Sequence, residues 1–75
     1  MNDERLNDIR VVRGDLSVLD QTIKRIMNEE EEYHDNIPKN PLEYEAIERS
    51  EEAIAFLVEA FDSVQDAISA LMEIQ

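Results

Sequence analysis

The chain has 75 residues, no cysteine and a formal net charge of −12. Disulfides and thiolate metal sites are therefore excluded, and the charge argues against nucleic acid as a direct ligand, since phosphate binding rests on Lys and Arg. No apolar run approaches the roughly 20 residues of a membrane span, and the opening MNDERLNDIR lacks the apolar stretch of a signal peptide. The expectation is a single-domain cytoplasmic protein. A chain of this length buries only roughly 60% of its unfolded surface and usually needs a partner, a metal or a staple.

The first pattern is a heptad. Ile9, Val12, Leu16, Leu19, Ile23 and Ile26 alternate by three and four residues, the spacing that keeps one seam toward a neighbouring helix. Leu6 extends the stripe on its flank, and Tyr33 returns to it beyond Glu30. The pattern predicts a helix over about residues 3–35, with Gly14 on its outer face costing about 1 kcal/mol relative to alanine. Gln21 with Arg25, and Asp20 with Lys24, are expected as solvated pairs on that outer face.

A turn over about 36–40 follows. Ile37 precedes Pro38 and is pushed out of the helical region. Asn40, Pro41 and Glu43 fit the N-cap, first position and N3 of a capping box, so a second helix is predicted over about 41–74. Tyr33 and Tyr44 flank the turn and are expected to pack on Ile37 and Leu42.

The second helix repeats every seven residues at Ile47, Ile54, Phe61 and Ile68, with Leu57, Val64 and Leu71 between them. Ala46, Ala53, Ala60 and Ala67 form a further column, small enough to admit another helix. Folding the chain at the turn sets Ile9 against Ile68, Val12 against Val64, Leu16 against Phe61, Leu19 against Leu57 and Ile23 against Ile54. The expected fold is all-α, an antiparallel two-helix hairpin. Val11, Val18, Met27, Val58 and Met72 are left over, so the hairpin is expected to pair with a second copy into a dimeric four-helix bundle.

Charge is concentrated at the turn. Residues 1–28 hold five acids and five bases, whereas 29–52 hold ten acids against Lys39 and Arg49, a balance of −8. Glu29, Glu30, Glu31, Glu32 and Asp35 make the acidic patch. This stretch, with Asp35-Asn36, Ile37-Pro38 and Asn40, and the following Glu48, Arg49, Ser50, Glu51, Glu52 and Ala53, resembles a family of short, acidic, uncharacterised helical-hairpin proteins of bacteria and their phages. The resemblance covers roughly residues 26–75, and Pro41-Leu42-Glu43-Tyr44 departs from it where a more polar turn is expected. It implies the hairpin and carries no established activity.

Three function classes fit this pattern. The first is an interaction or adaptor module whose partner is itself, or another protein with a basic surface. The second is an acidic inhibitor that imitates the charge of a nucleic acid, although acidic runs more often serve only solubility. The third is a helical dimer holding a metal at Glu31, His34, Glu48 and Glu51, since Glu31-x-x-His34 matches the spacing of carboxylate-bridged di-iron helices; the plainer reading is a solvated helix end with a surface histidine. Glu29-x-x-Glu32 and Glu59-x-x-Asp62 also look like paired metal ligands, but in a hairpin they lie about 18 Å apart. No catalytic residues are expected: there is one histidine, no cysteine, four serines and one glycine. No cofactor is expected.

Overall fold

A computed structural model describes residues 1–74. Helix α1 runs Asp3–Asn36, a single 3-10 turn runs Pro41–Glu43, and helix α2 runs Tyr44–Met72. The two helices pack antiparallel along a rod of 60 × 14 × 12 Å. Among the described residues, no helix is long and apolar enough to cross a membrane.

Local chemistry explains each boundary. Asn2 opens α1, its side chain accepting a hydrogen bond from the Arg5 N–H at 2.8 Å, which satisfies one of the donors a helix start leaves free. At the other end, Ile37 is extended at φ −69° and ψ 128°, as a residue before proline should be. Its N–H still reaches the His34 carbonyl at 3.2 Å. Asn40 caps the next segment, its side-chain oxygen accepting from the Leu42 N–H at 3.0 Å, with Pro41 at the first position.

The capping box is only half formed. The Asn40 N–H donates to the Pro38 carbonyl at 3.1 Å rather than to Glu43, so the proline turn takes the group that Glu43 was expected to hold. The first turn is accordingly 3-10 in form, and the α-helix proper begins at Tyr44, not Pro41. At its far end α2 stops at Met72, two residues before the expected 74.

The line of contact differs from the expected seam. On α1 the residues shielded by α2 are Leu6, Ile9, Arg13, Leu16, Asp20, Ile23, Met27, Glu30 and His34. Ile9, Leu16 and Ile23 are therefore in place, but Val12, Leu19 and Ile26 are exposed on its flank. The layers Val12 with Val64 and Leu19 with Leu57 are not formed within this hairpin. On α2 the shielded line is Ile47, Ser50, Ile54, Leu57, Phe61, Val64, Ile68 and Leu71, continued from Glu43 of the 3-10 turn, and it contains every position expected there.

Among the described residues, two polar side-chain contacts cross the hairpin, Gln65 to Asp20 at 2.5 Å and His34 to Glu51 at 3.2 Å. From Asp20 to His34 is 14 residues, and from Gln65 back to Glu51 is 14 again. The helices thus keep one register across two heptads. Asp20 points inward rather than toward Lys24, and Arg25 pairs with Glu29 at 3.0 Å instead of Gln21.

Very little of this molecule is core. Among the described residues, Ile37 is the one apolar side chain that is fully buried, at 6% exposure. The other two buried residues are Asp20 and Ser50. Ile37 closes the turn beneath Tyr33, Asn36 and Pro38. Leu42, 93% exposed, and Tyr44 stand in solvent rather than packing there, because the 3-10 turn directs them away from α1.

Candidate functional site

Each helix carries a column on either side of its contact line, and the two cross-hairpin contacts show which columns share a side. Gln65 and Glu51 reach Asp20 and His34. A groove of about 360 Å³ is lined by Ser17, Asp20, Lys24, Phe61 and Gln65. One edge of the rod is therefore built from Arg10, Ser17, Lys24 and Glu31 beside Glu51, Val58, Gln65 and Met72. The edge is mixed in character.

The opposite edge follows from the heptad. It carries Val12, Leu19, Ile26 and Tyr33 of α1 beside Ala46, Ala53, Ala60 and Ala67 of α2. None of the eight is charged. Val12, Leu19, Ile26 and Tyr33 are all substantially exposed, as are Ala60 and Ala67. Phe56 stands exposed next to the alanine column. A continuous apolar edge of this kind is the ordinary mark of an interaction surface.

The acidic patch sits at the turn. Glu29, Glu31, Glu32 and Asp35 are exposed and Glu30 is half-buried on the contact line. Glu45, Glu48, Glu51 and Glu52 are exposed on the facing helix. Arg49 pairs with Glu45 at 2.6 Å within α2, and Lys39 lies exposed in the loop. The turn end of the rod presents a dense set of carboxylates with few counter-charges.

Comparison with protein-family models, curated proteins and solved structures gives no match. The reading of function rests on the molecule itself.

Of the four residues considered as metal ligands, the fold joins two. His34 Nε2 lies 3.2 Å from Glu51 Oε1, and His34 Nδ1 lies 3.6 Å from Asp35 Oδ1. Among the described residues, no group of three or more His, Asp or Glu side chains could hold an ion. Glu31 belongs to the mixed edge, next to the His34 line, and Glu48 is exposed on α2; neither completes the pair. His34 faces α2, its side chain 19% exposed and directed to Glu51.

Two inward polar groups were not foreseen. Asp20 is 2% exposed, with Oδ2 held by Gln65 and Oδ1 unpartnered, and Ser50 is 1% exposed with an unpartnered hydroxyl. A buried polar atom without a partner costs about 1–3 kcal/mol. The signal for Asp20 lay in the column Leu6, Arg13, Asp20 and Met27, which steps by seven residues. Two of its members are apolar and two charged, which disguises it.

Proposed function

We propose that this chain is a self-associating helical module that acts through protein–protein contact and has no catalytic role of its own. The homodimer it forms is a four-helix bundle made from two hairpins. The observation that carries this reading is the poverty of the interior. Ile37, the one fully buried apolar side chain among the described residues, is far too little for a stable fold, while Val12, Leu19, Ile26, Phe56 and Val58 remain in solvent.

Sedimentation equilibrium tests it. The expected result is a species of about twice 8.7 kDa at micromolar concentration. A monomer at every concentration up to the millimolar range overturns the reading.

A second reading is supported by the exposed carboxylates at the turn. A rod with one strongly acidic end can occupy the basic groove of a nucleic-acid-binding protein and exclude its substrate. The resemblance to acidic hairpin proteins of bacteria and phages is compatible with it. Under this reading, reversing the charge of Glu29 to Glu32 leaves folding intact and ends inhibition, and binding weakens steeply as salt screens the contact. Binding that is indifferent to salt removes it.

A further inference from the structure

We propose that the apolar edge is the face on which a second copy of this chain lies, with the two turns at opposite ends of the dimer. The proposal rests on the self-association reading above and assigns its face and geometry.

The first argument is surface. The hairpin exposes 5792 Å², whereas a compact protein of 8.7 kDa exposes roughly 4700 Å². The excess of about 1100 Å² is close to the ~800 Å² that each partner gives to a standard interface. The Cα radius of gyration is 17.5 Å, against about 11 Å for a compact chain of this length. A second hairpin laid side by side covers part of the excess surface, while the radius of gyration follows from the 60 Å length of the rod.

The second argument is the choice of edge. On α1 the large apolar residues fill two adjacent lines, Ile9-Leu16-Ile23 against α2 and Val12-Leu19-Ile26 beside it. A helix apolar on two lines serves two neighbours, as in a four-helix bundle. The alanines on α2 let another helix axis come near. The mixed edge, with Arg10, Lys24, Glu31 and Glu51, would have to strip water from four charges.

The third argument is charge and register. The turn end carries −8 of the total −12; residues 1–28 balance, and residues 53–75 carry the remaining −4. Turn against turn brings two −8 ends together, whereas the opposite arrangement sets each acidic turn beside the partner's less acidic end and lowers the repulsion. The Val12-Leu19-Ile26-Tyr33 column has its midpoint between Thr22 and Ile23, and a two-fold axis across the rod at that height pairs the column with itself. It sets Leu19 against Ile26 of the partner subunit.

That opposition gives the test. Leu19→Glu and Ile26→Lys, made separately, each weaken self-association by at least about a hundredfold, read by sedimentation with helicity followed by circular dichroism. Mixed one to one, the two variants associate again, because the introduced charges meet across the axis. A spin label at Lys39→Cys in the otherwise unaltered chain, which has no native cysteine, gives an intersubunit distance of about 50 Å at 1.5 Å per residue. A distance below about 25 Å, the expectation for turns side by side on helices 8–10 Å apart, overturns the geometry. So does failure of the mixture to associate. Variants that remain dimeric, with Val11→Glu and Val18→Glu dissociating instead, overturn the face while self-association stands. An unaltered chain that is monomeric fails the earlier reading in its own measurement.

Discussion

Gln65 donates to Asp20 across the hairpin at 2.5 Å, tying the middle of α1 to α2 through one carboxylate oxygen and leaving the other oxygen without a partner. A polar group at an inward heptad position fixes register at the expense of stability. Here the cost is visible, since Oδ1 is shielded from water and unpaired. Gln65→Ala removes the last partner of a buried carboxylate and is expected to destabilise the fold by about 1–3 kcal/mol. Urea titration at neutral pH checks it, and a change below about 0.5 kcal/mol would mean the contact contributes nothing.

Ile37 is the second point of weakness. It is the closing wedge of the turn, and its truncation leaves a hole where the rod has its best-shielded apolar contact. Ile37→Ala is expected to cost about 2–4 kcal/mol. Because so little else is buried, the loss should unfold the turn end, and hydrogen exchange of amides in residues 30–50 should accelerate.

Gly14 offers the opposite sign. It is helical, lies on the outer face, and a Cβ built there meets nothing within 4 Å. Gly14→Ala should stabilise α1 by about 1 kcal/mol, a rise in Tm of about 4–8 °C for a domain of this size. It should leave association through the apolar edge unchanged.

The acidic end of α1 opposes its own helix dipole. Asp35 lies in the last turn, 81% exposed in its side chain, where negative charge is unfavourable. Asp35→Lys should add about 0.3–1 kcal/mol. Raising sodium chloride from 0.02 to 0.3 M should stabilise the unaltered chain and narrow the gap between the two, as like charges at the turn are screened. A thermal melt series separates these outcomes, and stability that falls with salt contradicts the account.

The hairpin, its turn and the whole inward line of α2 were legible in the sequence because each depends on short-range rules. Pro38 fixes the end of α1, Asn40 and Pro41 fix the restart, and the Ile47-Ile54-Phe61-Ile68 repeat has no rival line. The facing side of α1 was not legible. Its apolar residues fill two neighbouring lines, and spacing alone selects the line richer in large side chains, Val12-Leu19-Ile26. The fold instead turns Asp20, Met27 and His34 toward α2. A stripe wider than one contact can be satisfied by more than one rotation of the helix, and which rotation wins depends on the neighbour, not on the stripe. The same rotation brings His34 to Glu51 across the hairpin and leaves Tyr33 bordering the turn without being enclosed by it.

The even 14-residue steps between the two crossing contacts give the rod a unit of length. Seven residues added to α1 and seven to α2 at matching heights would extend it by about 10 Å and present every column at its former angle, without touching the caps, the proline turn or the spacing of residues at either tip. Such a scaffold can be lengthened or shortened in whole heptads while whatever it holds at its two ends keeps the same relative rotation.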